Sequence, residues 1–123
     1  MNVVDSSGWL EYLAGGPNAA FFAAAVEDAE HLVVPTLSLY EVYKRVAQQR
    51  DEGTALRVVS AMQAGEVVDL TATIATAAAR LSLQSGLPMA DSVMLATARH
   101  HGATLWTQDV DFRGLDGVEY VER

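Results

Sequence analysis

Short runs of hydrophobic residues alternate with longer amphipathic segments along this chain. The runs are continuous, as expected for strands that are buried on both faces of a parallel sheet. In the longer segments hydrophobic residues recur at helical spacing, as Leu39, Val42, Tyr43 and Val46 do. The pattern predicts strands at residues 2–4, 32–34, 67–68, 104–107 and 118–121.

Helices are predicted between these strands, and residues typical of helix ends mark their limits. Asn18 and Thr36 are expected to cap the second and third helices. The second helix is expected to continue to Ala29, and Gly86 is expected to end the fifth. The predicted helices begin at Gly8, Asn18, Thr36, Gly53, Thr71 and Pro88.

The alternation of strands and helices predicts an α/β fold. We expect a single domain over residues 1–123, with a central, mostly parallel sheet of four or five short strands flanked by helices. Half of the residues are hydrophobic and 20% are charged, which is the composition of a packed globular protein.

Composition also limits the location and the chemistry. The chain has no cysteine, which excludes disulfides and thiolate metal sites. No apolar run approaches the roughly 18 residues of a membrane span, and the N-terminus lacks the features of a signal peptide. We therefore expect a cytoplasmic protein without a membrane partner.

The net charge of −8 argues against a general nucleic-acid binder, because affinity for phosphate comes largely from lysine and arginine. It does not exclude a metal-dependent nuclease, since bound cations offset part of the charge of their carboxylate ligands. Lys44, Arg45, Arg50 and Arg57 form the one basic cluster. This cluster is either a site for a phosphate backbone or an acidic partner, or a solvated helix face.

Two acidic residues follow predicted strands. Asp5 ends the first strand, and Asp109 comes just after the strand at residues 104–107. If the strands are parallel, both residues lie at the carboxyl edge of the sheet, where sites form in open α/β folds. The alternative for Asp5 is a purely structural role as the N-cap of the following helix.

Asp91 is an isolated acid on a helix that is otherwise almost entirely apolar. Such a helix is normally buried, and a buried carboxylate is costly unless it is paired, hydrogen-bonded or metal-bound. The alternative is a favourable interaction with the helix dipole, because Asp91 lies in the first turn after Pro88. A functional role explains the apolar surroundings better.

Glu41 is the most ambiguous acid. Arg45 lies four residues further along the same predicted helix, so an exposed ion pair would account for both side chains. However, Glu41 is also near enough to the start of that helix to reach the carboxyl edge of the sheet.

Carboxylates from separate parts of the chain need a cation to offset their repulsion when they converge. Oxygen ligands without cysteine favour Mg²⁺ or Mn²⁺, and phosphodiester hydrolysis suits these ions. Ser7 and Thr107 are candidates to hydrogen-bond the carboxylates or the scissile phosphate, with ordinary capping and turn roles as the alternative. The three histidines receive no role.

With these residues identified, the sequence resembles the PIN-domain ribonucleases, specifically VapC-type toxins of bacterial toxin–antitoxin pairs. The resemblance extends over essentially the whole chain. The residues that carry it are 3–7 (VVDSS), 35–42 (PTLSLYEV), 87–92 (LPMADS) and 105–112 (LWTQDVDF).

The resemblance implies RNA cleavage at an acidic metal site. It assigns Asp5, Glu41, Asp91 and Asp109 to Mg²⁺ or Mn²⁺, and Asp111 either to the metal or to the turn into Phe112. Thr107 and Ser7 match hydroxyl residues of the family's site. The resemblance also implies a homodimer and a cognate antitoxin that covers the site.

Three alternatives to this interpretation place different requirements on the sequence. A phospho-acceptor receiver domain needs two adjacent acids after the first strand and a late lysine, and a haloacid-dehalogenase-like phosphatase needs a second aspartate at the position of Ser7. The sequence has neither pattern. The third is a PIN-fold binding or regulatory module that has lost catalysis, which the intact set of acids argues against.

Overall fold

The computed structural model describes residues 1–123 and contains five short strands and six α-helices. In chain order they are β1 (Asn2–Val4), α1 (Ser6–Ala14), α2 (Ala19–Val26), β2 (Val33–Pro35), α3 (Thr36–Gln49), α4 (Glu52–Met62), β3 (Glu66–Val68), α5 (Ala72–Ser85), α6 (Met89–His100), β4 (Thr104–Thr107) and β5 (Val118–Tyr120). None of the six helices has the length and apolar character required to cross a bilayer.

All strand pairs are parallel, which confirms the predicted α/β class. β4 lies between β1 and β5 in a three-stranded sheet, and β2 pairs with β3 in a second, two-stranded sheet. Only one isolated bridge, between Asn2 and Leu32, joins the two. All five predicted strands are present, three of them in one parallel sheet and two in a second, smaller one.

The two faces of each sheet pack against different helices, because successive side chains of a strand point to opposite sides. Val4 and Val34 contribute to a core with α1, α2, α3 and α4. Val3 and Val33 contribute to a second core with α6. α5 packs against the outer face of α6 through a smaller apolar cluster. The helices thus cover both faces, as the sequence predicts.

Several helix ends differ from the prediction. α1 begins at Ser6 with Asp5 as its N-cap, and α2 ends at Val26 rather than Ala29. The side chain of Asn18 does not cap α2. Its Nδ2 instead donates to Gln108 Oε1 at 2.9 Å and to the Glu122 carbonyl oxygen at 3.2 Å. A tertiary contact has replaced the local one.

At the starts of α3, α4 and α5, the structure confirms one predicted cap or start and corrects two. Pro35, not Thr36, is the N-cap of α3, so Thr36 is the first helical residue and has no capping role. Asp51 caps α4 by accepting a 2.6 Å hydrogen bond from the Thr54 amide, which places the start before Gly53. The predicted cap of α5 is confirmed, because Thr71 Oγ1 accepts from the Ile74 amide.

Candidate active site

An acidic cluster lies at the carboxyl edge of the three-stranded sheet. Its members are Asp5, Glu41, Asp91, Asp109 and Asp111. The β1–β4 ladder continues one residue past β1, since the Asp5 amide donates to the Trp106 carbonyl oxygen at 3.2 Å. Asp5 is thereby held beside Thr107, the last residue of β4. Parallel pairing has brought the two strand ends together, as the sequence predicts.

The Asp5 carboxylate is buried, and both of its oxygens accept hydrogen bonds. Oδ1 accepts from the Gly8 amide at 2.8 Å and from Ser7 Oγ at 2.9 Å, and Oδ2 accepts from Thr107 Oγ1 at 2.5 Å. Burial nevertheless raises the pKa of Asp5, and the nearby charge of Asp109 adds to the rise. Asp5 therefore both caps α1 and belongs to the acidic cluster, so the two interpretations are compatible.

Thr107 links two of the acids. Its completely buried hydroxyl donates to Asp5 Oδ2 and accepts a 2.9 Å hydrogen bond from the Asp109 amide. One side chain thus orients a carboxylate from β1 and the backbone that carries a second carboxylate. This is a specific role that a simple turn residue would not have.

Asp91, Asp109 and Asp111 lie closest together. One carboxylate oxygen of each is within 4.8 Å of the other two. Asp111 is exposed, and its amide donates to Asp109 Oδ1 at 3.0 Å, so Asp109 rather than Asp111 caps the turn before Phe112. The side chain of Asp111 remains available as a ligand.

Asp91 experiences the charge of the whole cluster. It is half-buried in the first turn of α6, and burial together with the negative charges of its neighbours raises its pKa to about 6. The neighbours that contribute are Asp109, Asp5, Asp111 and Glu41. Helix-dipole stabilisation alone would not place a carboxylate among four others, because each one opposes its ionisation.

Glu41 reaches the cluster from α3 but is outside the closest group of three acids. Its Oε1 accepts a 2.6 Å hydrogen bond from the Oγ of Ser6, which directly follows Asp5 in the chain. No ion pair forms between Glu41 and Arg45, and the one contact of a carboxylate with a basic side chain within 4.0 Å joins Asp28 to the His31 imidazole. The alternative of an exposed ion pair on α3 is therefore wrong.

The donor atoms of the cluster suit a hard divalent cation. Every candidate ligand is a carboxylate oxygen, and no lysine or arginine side chain pairs with any of the five acids. His100 and His101 lie at the far end of α6, where they contact each other. Carboxylate ligands without nitrogen or sulfur favour Mg²⁺ or Mn²⁺, so the residues present fit such an ion.

Sequence reasoning missed two residues that shape the site. Ser6 orients Glu41, and Gly8 supplies an amide to Asp5 at a position without room for a side chain. A Cβ at Gly8 would lie 2.6 Å from Phe22 Cε1 and 2.7 Å from Val4 Cγ1. Most of α6 is buried, as its apolar sequence predicts, but Met89 at its start is 80% exposed.

Comparisons with known proteins agree with this architecture. The family model described as PIN domain matches residues 3–118. No curated protein matches the chain. Twenty-eight solved chains match.

Three of these structures illustrate the likeness. A toxin–antitoxin complex from Klebsiella pneumoniae gives a TM-score of 0.85 at 22% identity, with all of both chains covered. A sarcin–ricin loop cleaving toxin from Mycobacterium tuberculosis gives 0.79 at 18% identity, also over all of both chains. A VapBC2 structure from Rickettsia felis, bound to promoter DNA, gives 0.73 at 14% identity and covers 98% of this chain and 97% of the other. At these identities the likeness shows a shared fold.

Proposed function

This chain belongs to the PIN domain family, and from that membership we propose that it is a metal-dependent endoribonuclease that cleaves RNA phosphodiester bonds. We further propose that it is the toxin of a type II toxin–antitoxin module. The observation that carries the proposal is the convergence of Asp91, Asp109 and Asp111 within 4.8 Å, beside Asp5 at the end of a neighbouring strand. Sites of this donor type serve phosphodiester hydrolysis.

Asp91, Asp109 and Asp111 are the residues that would hold Mg²⁺ or Mn²⁺, together with Asp5 and Glu41. Such an ion, when bound, lowers the pKa of a water molecule and offsets charge that develops on the phosphate. Burial and the repulsion of neighbouring acids together raise the pKa of Asp91, and a bound ion would relieve the repulsion. Ion binding and the ionisation of the cluster are therefore expected to be linked.

The neutral side chains of the site orient these carboxylates. Thr107 and Ser7 fix both oxygens of Asp5, and Ser6 fixes one oxygen of Glu41. Hydrogen bonds of this kind hold ligands in one rotamer and cost little reorganisation when the reaction proceeds. Asp5 Oδ1 already accepts two hydrogen bonds, whereas Oδ2 accepts one. Oδ2 therefore retains more capacity to bind a cation.

Partners are proposed on two grounds. The Klebsiella structure is a toxin–antitoxin complex, and other similar structures are of VapBC and FitAB proteins, which supports a cognate antitoxin for this chain.

An apolar groove between α5 and α6 exposes Leu70, Leu83 and Met89. Exposed apolar patches mark protein–protein surfaces, and we assign this one to a homodimer. Sedimentation velocity of the wild type and of Leu83→Glu would test it.

The second candidate is a PIN-fold binding or regulatory module without catalysis. A thermal-shift titration with Mg²⁺ and Mn²⁺ separates the two functions. An enzyme with this site is expected to be stabilised by either ion, because ligands that bind only the folded state raise its melting temperature. Asp69→Asn, an exposed control, should keep the response, whereas Asp91→Asn should lose it. No stabilisation of the wild type would favour the binding module.

A further inference from the structure

Beside the acidic cluster, a groove of about 340 Å³ lies between the start of α1 and one face of α3. α3 contributes Tyr40, Glu41, Lys44, Arg45 and Gln48 to its lining. Residues four apart lie above one another on a helix, so Tyr40, Lys44 and Gln48 form one row and Glu41 and Arg45 form the next. The groove thus begins at an acid of the cluster and leads away from it along α3.

Tyr40 does not pack against the core. Its side chain is 62% exposed and belongs to none of the apolar clusters. By contrast, Tyr12 and Tyr43 pack against the core, and their hydroxyls donate to Glu27 and Glu52. The Tyr40 hydroxyl makes no hydrogen bond. An exposed aromatic face in a groove is the feature on which an unpaired nucleic-acid base stacks.

The cations of the groove are not neutralised by the protein. Neither Lys44 nor Arg45 has a carboxylate within 4.0 Å, although the chain carries twice as many acidic as basic residues (16 against 8). Lys44 Nζ lies 5.8 Å from the centre of the Tyr40 ring. Free cations beside an exposed ring match a nucleotide, which presents a phosphate and a base together.

We propose that Tyr40, Lys44 and Arg45 form a binding track for single-stranded RNA. The Tyr40 ring stacks on a base next to the phosphodiester at the acidic cluster, and the two cations contact neighbouring phosphates. This inference rests on the proposed function and extends it, because it names the residues of this chain that hold the substrate. Paired bases in a duplex are already stacked and do not offer a face to Tyr40.

Binding of a labelled, mixed-sequence, single-stranded oligoribonucleotide in EDTA tests the track without cleavage. Tyr40→Ala is expected to weaken binding about tenfold, whereas Tyr40→Phe keeps the ring and most of the affinity. Lys44→Ala and Arg45→Ala should each reduce the salt dependence of log K by about 0.7. Arg80→Ala, a matched control on α5, should leave both quantities unchanged. An RNA duplex should bind more weakly than the single strand.

Several outcomes would overturn the track. These are equal affinity of Tyr40→Ala and wild type, an equal loss in Tyr40→Phe and Tyr40→Ala, or equal binding of duplex and single strand. Unchanged RNA affinity in every groove variant, with loss of polyglutamate binding in Lys44→Ala, would assign the groove to an acidic protein segment instead. RNA cleavage by wild type with metal, unaffected by Tyr40→Ala, would reject the track and leave the nuclease standing. Absence of metal-dependent cleavage would reject the nuclease, and the binding data would still decide the track.

Discussion

The Thr107 hydroxyl donates a 2.5 Å hydrogen bond to Asp5 across 102 positions of sequence. The bond exists because β1 and β4 are parallel neighbours and end at the same edge of the sheet. The same hydroxyl accepts from the Asp109 amide. Two acids of the candidate site are therefore oriented by one buried side chain, and the geometry of the site depends on the pairing of two short strands.

Thr107→Val removes this link while keeping the shape of the side chain. We expect a stability loss of about 1–3 kcal/mol, because Asp5 loses a donor in a buried position. Metal affinity and activity should fall roughly 10- to 100-fold, as is usual when a residue that orients a ligand is lost. Thr97→Val is the matched control, since Thr97 is also buried and donates to the Val93 carbonyl oxygen within α6. Chemical unfolding measures the stability of both variants, and cleavage assays measure their activity. An equal loss of activity in both variants would refute the proposed link between Thr107 and the site.

Glu41 is expected to act with Ser6, because Ser6 Oγ holds one of its oxygens. Glu41→Gln should weaken Mn²⁺ binding roughly tenfold, and Ser6→Ala should weaken it less. The effects should not add in the double variant, since the serine acts through the glutamate. Isothermal titration of the wild type and the three variants measures this coupling. A stability change of a few tenths of a kcal/mol with unaltered metal affinity in Glu41→Gln would show that this residue is not a ligand.

The stability of the metal-free protein is expected to fall as the pH rises through the pKa of Asp91. Burial and the negative charges of the neighbouring acids raise that pKa from 3.8 to about 6 in the folded state. The folded state therefore holds the proton more tightly, and the resulting stabilisation is complete below 3.8 and lost above 6. The pKa of Asp5 shifts in the same direction. The pKa of Asp51 is lowered, mainly by hydrogen bonding from Thr54, so its contribution to stability is present above 3.8 and is lost only at more acidic pH.

Thermal unfolding in EDTA at about pH 5 and about pH 7.5 measures this dependence. The wild type and Asp69→Asn should melt at a higher temperature at the acidic pH. Asp91→Asn should show a smaller difference and should be more stable than wild type at the neutral pH, because its side chain cannot ionise. If the melting temperature changes equally between the two pH values in Asp91→Asn and in wild type, Asp91 does not contribute to the repulsion within the acidic cluster.

Gly8→Ala should destabilise the protein by about 1–3 kcal/mol, because the new methyl group would overlap Phe22 and Val4 in a packed core. The shift would also disturb the amide that binds Asp5. Gly53→Ala on α4 is the control, where the nearest atom would be Asp51 Oδ1 at 3.3 Å on an exposed side chain. That variant should be neutral or stabilised by up to about 1 kcal/mol. Equal urea midpoints for the two variants would be inconsistent with the packing at Gly8.

Local patterns in the sequence were sufficient to predict the strands and the edge that carries the acids. Continuous apolar runs are typical of parallel strands, and parallel strands place their carboxyl ends together. For that reason Asp5 and Thr107 could be expected in one place before the structure was known. Asp91 stood out because a lone acid on an apolar helix needs an explanation.

Contacts between distant residues explain what could not be predicted. Helical spacing suggests Arg45 as the local partner of Glu41. Instead, Ser6, 35 positions away, donates a hydrogen bond to Glu41. Asn18 has the propensity of a helix cap, yet a contact with Gln108, 90 positions away, takes its side chain. The division of the sheet between β1 and β2 also has no local signal, because it depends on how few bridges form between two strands.

Cleavage of a mixed pool of structured RNAs is the most direct test of the central proposal. Wild type, Asp91→Asn and Asp69→Asn would be compared in Mg²⁺, Mn²⁺ and EDTA. We expect discrete fragments from wild type and Asp69→Asn with either metal, none in EDTA, and only background cleavage by Asp91→Asn. Metal-independent cleavage, or equal cleavage by wild type and Asp91→Asn, would contradict a nuclease site built on these carboxylates.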